Sequence, residues 1–150
     1  MSVTDVTLIE ESAQKTHLLL KELAEELGRA GDERYAMRVL RGYLHTLRDR
    51  LPVPETAQFG AQLPELVRGI YYEGWRPATV PLDYHDVDTF LAHVATEARL
   101  AGETESAYAV EAATRVFRRH VGKGELAKVA TALPPRIAEL IGETAQGAER

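Results

Sequence analysis

Covalent catalysis needs an activated Ser, Cys, Thr or Lys beside a base, and this chain offers few candidates. It contains no cysteine. Its serines are Ser2, Ser12 and Ser106, and none sits in a Gly-x-Ser-x-Gly turn. Thr16 precedes His17, but adjacent helical residues point about 100° apart and cannot pair. The GKG run at 122–124 lacks both the spacing of a phosphate loop and the Ser or Thr that should follow its lysine. No catalytic residue is assigned. The histidines are His17, His45, His85, His93 and His120, and none forms H-E-x-x-H or a helical E-x-x-H. The densest candidate ligands are Asp83, His85, Asp86 and Asp88 in LDYHDVD, where Asp86 or Asp88 is expected to cap the next helix instead. Neither a metal nor any other cofactor is expected. His45 stands beside the apolar line of its helix. It is expected to hydrogen-bond to a neighbour, since a titrating switch would need a partner that the sequence does not reveal.

Two charge clusters remain. Arg48, Asp49 and Arg50 close one long helix, and Arg118, Arg119 and His120 close another. An arginine on such a flank either clamps a neighbouring helix or belongs to an anion site. Glu55 and Glu125 start the short helices that follow, where a carboxylate suits the positive end of the dipole. Ion pairs Arg48–Glu55 and Arg118–Glu125 are therefore expected. Arg115, Arg118, Arg119, His120 and Lys123 form one basic run, expected to be a solvated helix face. The net charge is −5, which disfavours nucleic acid, whose binders carry a basic surface for the phosphates.

The stretch RGIYYEGWRP, residues 68–77, holds the only tryptophan and two of the six tyrosines. Tyr71 and Trp75 lie four apart on one helix face and are expected to be buried at a joint between helix four, the following linker and the second half. Arg68, Tyr72 and Arg76 are expected to stay accessible as a recognition patch, because Tyr, Trp and Arg dominate interface energetics.

The segments that position these groups read as helices. Ile9, Ala13, Thr16, Leu20, Leu23 and Leu27 alternate spacings of four and three over residues 7–28, with Thr7 and Glu10 as a capping box and Gly28 as the stop. A second helix over 32–50 buries Val39, Leu40, Tyr43, Leu44, Leu47 and Leu51, and Pro52 and Pro54 end it. Pro54 and Pro64 suit the starts of two short helices, the second carrying Leu66, Val67 and Ile70. At an offset of 70, ETAQFGAQLP overlies ELAKVATALP, Leu40 overlies Val110, and Leu47 overlies Phe117. The expected fold is all-α, about eight helices as an internal duplication of a four-helix unit. Residues 1–78 form the first repeat, 79–85 a linker, 86–142 the second repeat and 143–150 a tail.

The N-terminus has no basic segment followed by a long apolar run, so no secretion signal is expected. The longest run of aliphatic residues, Leu18 to Leu20, is too short to span a membrane. A cysteine-free chain fits the cytoplasm. LHTLRDRLP, AQLPELVRG, YYEGW and QKTHLLLKELAEELG together resemble the bacterial domain-of-unknown-function family numbered 2267, and cover most of the first half. The resemblance implies a helical, duplicated protein and no assigned activity. It also leads one to expect a tryptophan where this chain has Leu19, a difference of packing. The functional expectation is a helical interaction or self-associating module without catalytic activity, whose partner is an unknown protein or a second copy. The alternative is a sensor holding a small ligand between the repeats, and the third possibility is an enzyme.

Overall fold

A computed structural model describes the backbone of residues 3–122 and 124–147, and the side chains of 6–122 and 124–142. Lys123 of the basic run, and Ser2, lie outside the described residues. Among the described residues the chain forms eight α-helices and no strand: α1 (Val3–Glu26), α2 (Glu33–Asp49), α3 (Val53–Gly60), α4 (Glu65–Tyr72), α5 (Val87–Ala98), α6 (Glu103–His120), α7 (Glu125–Thr131) and α8 (Pro135–Gly147). A short 3₁₀ turn, Pro77–Thr79, lies between α4 and α5. Residues 143–147, expected to be tail, continue α8 as backbone.

Local chemistry sets the boundaries. Asp32 caps α2 by accepting from the Tyr35 amide at 3.1 Å, and Asp86 caps α5 by accepting from the Thr89 amide at 2.9 Å. Asp86 thereby keeps its carboxyl below the usual range, first through its bonds to Thr89. Pro52 and Pro64 stand just before α3 and α4. Gly28 turns the chain out of α1 at φ 73°, a conformation that costs glycine nothing. The start of α1 differs from expectation. The helix begins at Val3, so Thr7 and Glu10 lie inside it rather than boxing its end.

α1 packs on α2 and α4, and α2 on α4; α5 packs on α6 and α8, and α6 on α8. Across the middle, α2 crosses α5 and α1 crosses α6, while α2 meets α6 and α3 meets α7. Exchanging α1–α4 for α5–α8 leaves this set of contacts unchanged. One difference is the extensive packing of α7 on α8, which has no match of similar size between α3 and α4. Leu40, Leu47, Val67, Val110, Phe117 and Ile137 are fully buried, and so are Leu19, Leu23, Phe90 and Val94.

Aromatic rings run through this core. Tyr43 stacks on Phe117 (centroids 5.6 Å apart, 14° between planes) and hydrogen-bonds Thr114 at 3.0 Å. Burial drives the Tyr43, Tyr71 and Tyr84 phenols well above the usual tyrosine range. Tyr35 is pushed up to about 12, first by burial and then by its hydrogen bond to Glu105. A phenol raised in the folded state contributes stability that is complete below its unfolded value, about 10, and is lost as pH rises through that range and beyond. In a spectrophotometric titration, four of the six tyrosines should ionise only as the chain unfolds. Reversible ionisation of all six with helicity intact would contradict this packing.

Candidate functional site

The aromatic segment occupies the last turn of α4 and the loop beyond. Tyr71 is fully buried, edge-on to Phe59 at 5.8 Å, and donates to the Thr56 carbonyl at 2.9 Å. Phe59 in turn meets Phe117 at 6.4 Å. Outward from Tyr71 the rings continue through Tyr72 (5.0 Å) to Trp75 (5.3 Å). Tyr72 lies over Gly60, where any Cβ would fall 2.6 Å from its hydroxyl. Trp75 is half-buried against Tyr72, and its indole N–H is enclosed without an acceptor among the described residues.

Arg68 donates to the carbonyls of Gly60 (2.9 Å), Ala61 (3.3 Å) and Leu63 (2.8 Å), closing the C-terminal end of α3. These contacts correct the expected patch: Arg68 and Tyr72 are both half-buried, because one satisfies carbonyls and the other packs between two rings. Of the three patch residues, only Arg76 is exposed. Of the residues expected at the joint, Tyr71 faces Phe59, and Trp75 meets the ring of Tyr72.

The end of α4 is held from α2. Arg48, nearly fully buried, donates to the carbonyls of Tyr71 (2.8 Å) and Glu73 and to Asp49 (2.9 Å). His45 places Nε2 2.7 Å from the Ile70 carbonyl. Cationic donors at a helix C-terminus satisfy carbonyls that have no partner within the helix and complement the dipole. The expected Arg48–Glu55 pair is not formed, because Arg48 turns toward α4. Glu125 sits instead with Lys128 at 3.4 Å. Arg118 is half-buried in the last turn of α6.

The rest of the basic run is not a free face. Arg115 pairs with Glu26 (3.0 Å), while Arg119 (3.1 Å) and His120 (2.9 Å) pair with Glu22 across the α1–α6 seam. A shallow polar groove of about 610 Å³ follows this seam, lined by Glu22, Glu25, Glu26, Tyr108, Arg115 and Arg119. In LDYHDVD, Asp86 caps α5 and Tyr84 stacks on His93 at 5.2 Å. Among the described residues no group of three or more His, Asp or Glu is placed to hold a metal ion.

Sequence reasoning missed a surface at the other end of α1. Ser12 and Thr16 are buried, and the Ser12 hydroxyl accepts from the Leu66 amide at 3.2 Å. Ahead of Ser12 the helix overshoots its neighbours. Val6 (39% exposed), Leu8 (50%) and Ile9 (64%) stand open, and so does Leu66 (50%) at the start of α4, whose amide reaches Ser12 one turn further along α1. At 100° per residue, Val6 and Ile9 fall on the arc that Leu19, Leu23 and Ala24 bury further along, and Leu8 at its edge. Glu10, Glu11 and Glu65 are exposed around this surface, with Lys15 the nearby cation on α1. The available signal was the apolar stripe itself, which continues into the first turns of α1.

The model of a family described as "Uncharacterized conserved protein (DUF2267)" matches residues 16–140, and the chain belongs to that family. No curated protein matches it. Val6, Leu8 and Ile9 lie ahead of the matched span, whereas Leu66 and the aromatic segment lie within it.

Proposed function

We propose that this member of the DUF2267 family is a helical docking module without catalytic activity, which binds a partner helix along the first turns of α1. The observation that carries this is the open run of Val6, Leu8 and Ile9 on the continuation of a helix face that the bundle otherwise seals. Burying one such side chain contributes about 1.5–3 kcal/mol, so a partner covering these residues and Leu66 gains a useful affinity. The acidic surroundings disfavour a second copy of the same surface and favour an amphipathic helix with basic flanks. This surface takes over the role expected of the aromatic segment, of which Arg76 and the outer edges of Tyr72 and Trp75 remain accessible.

Two further expectations belong to the same proposal. The shared packing scheme and buried positions of α1–α4 and α5–α8 support an internal duplication. The absence of cysteine supports a cytoplasmic setting; separately, no helix among the described residues is long and apolar enough to cross a membrane. The alternative, a ligand held between the halves, is favoured only by the α1–α6 groove. Both of its arginines are already engaged by glutamates.

A fluorescent synthetic helix with a leucine stripe and lysine flanks tests the docking reading by anisotropy. Saturable binding is expected, weaker by about ten-fold or more in Ile9→Asp, while the melting temperature of that variant stays within error because Ile9 is exposed. An acidic leucine–glutamate helix should not bind. Binding that ignores Ile9→Asp, or no binding at all, rejects the proposal. A concentration-dependent dimer by light scattering, abolished by Ile9→Asp, replaces the basic helix with a second copy.

A further inference from the structure

The two crossings between the halves, α2 on α5 and α6 on α1, carry charged residues at corresponding places. At the offset of 70, His45 on α2 corresponds to Arg115 on α6. The buried residues Leu19, Leu20, Leu23 and Leu27 of α1 correspond to Phe90, Leu91, Val94 and Ala98 of α5 at an offset of 71, which aligns Glu26 with Glu97. Arg115 and Glu26 pair at 3.0 Å. His45 Nδ1 and Glu97 Oε2 face each other at 3.9 Å, just outside hydrogen-bond reach.

The tautomer follows from the other nitrogen. Nε2 lies 2.7 Å from the Ile70 carbonyl, which can only accept, so Nε2 carries the hydrogen and neutral Nδ1 is a lone pair. That lone pair points toward a carboxylate and has nothing to accept from it. His45 is 7% exposed at its side chain, whereas Glu97 is half-exposed and free to move. Glu73 beyond α4 and Glu97 on α5 are the charged groups within 4 Å of the ring nitrogens; Arg41, Arg48 and Asp49 share α2 with His45, and His93 stands one turn before Glu97 on α5. Arg41 holds Glu73 at 2.9 Å and Arg48 holds Asp49 at 2.9 Å. Glu97 is the carboxylate with no cation other than His45 within 4 Å among the described residues.

We propose that His45 is a proton-operated latch between α2 and α5. Taking up a proton at Nδ1 turns the lone pair into a donor toward Glu97. The α2–α5 crossing then acquires the ion pair that Arg115 and Glu26 supply permanently at the other crossing. The bond from Nε2 to Ile70 survives protonation, so the end of α4 stays in place while the Glu97 side chain closes on the ring. The latch engages when the ring takes up its second proton and releases when that proton leaves. This inference rests on residues remote from the docking surface, and failure of one leaves the other intact.

The experiment compares wild type with Glu97→Gln by thermal melting at pH 5.5 and pH 8, alongside ring-nitrogen NMR of His45 assigned with His45→Gln. Glu97→Gln changes an exposed side chain and should fold. Its melting temperature should fall by about 2–4 °C at pH 5.5 and stay within error at pH 8. The wild-type ring should show the Nε2–H tautomer at pH 8 and both nitrogens protonated at pH 5.5. Equal melting shifts at both pH values, or an Nδ1–H tautomer at pH 8, would overturn the latch. His17 and His120 also lie beside glutamates, so the wild-type pH profile alone is not the readout; the difference made by Glu97→Gln is.

Discussion

Phe117→Ala should destabilise the fold by about 3–5 kcal/mol, and Leu47→Ala by about 2–5 kcal/mol. Both side chains are fully buried, on α6 and α2, and lie 70 residues apart in the sequence. Phe117 stacks on Tyr43 and tilts against Phe59, so removing its ring opens a cavity between two aromatics and removes one of the contacts between α6 and the first half. Leu47 is smaller but equally enclosed. Urea titration at constant slope measures both. A change below about 1 kcal/mol in both variants would mean that this helix face is not the centre of the core.

Gly42→Ala should also destabilise, by about 1–3 kcal/mol, although glycine to alanine inside a helix ordinarily stabilises by about 1 kcal/mol. α2 and α5 cross at Gly42. A Cβ there would lie 2.7 Å from the Ala98 Cβ, 3.0 Å from the Ala98 nitrogen and 3.1 Å from the Val94 oxygen. Two of those atoms belong to backbone, so relief requires a whole helix to move. Gly69 is the internal control. It lies in α4 with nothing within 4 Å of a built Cβ, so Gly69→Ala should gain roughly 0.5–1 kcal/mol. Stabilisation by both substitutions would show that the crossing is looser than described.

Much of the fold was legible because its determinants are local or periodic. Pro52 and Pro64, Asp32 and Asp86 mark helix boundaries through backbone chemistry that needs no tertiary context. The apolar stripe of α2 was read correctly from Val39 to Leu51 for the same reason. What escaped depends on where one helix ends relative to another. Ile9 and Leu66 were both read as apolar face residues, and both are about half-exposed or more, at the same corner of the molecule. Periodicity says which side of a helix is apolar, not how far the neighbour extends along it. Two core-type residues left open together are the kind of local inconsistency that marks a functional surface.

The ion pairs failed for a related reason. Arg48, His45 and Arg68 reach backbone carbonyls at the ends of α4 and α3, and no side-chain pattern encodes the position of a carbonyl. Glu55 and Glu125 matched the dipole argument in type, but Arg48 had closer unsatisfied acceptors at the end of α4. The aromatic segment was legible as packing only in part. Tyr71, expected to be buried at the joint, is buried against Phe59, whereas Tyr72 is drawn in by Gly60, whose missing side chain makes room for its phenol.

Amide hydrogen exchange with and without the leucine–lysine helix tests the docking reading most directly, since it reports where a partner orders or covers the backbone. Slowed exchange confined to the first turns of α1 and the start of α4 around Leu66 is the predicted result. Unchanged exchange there, with protection instead over residues 68–77 or along the α1–α6 groove, would contradict it.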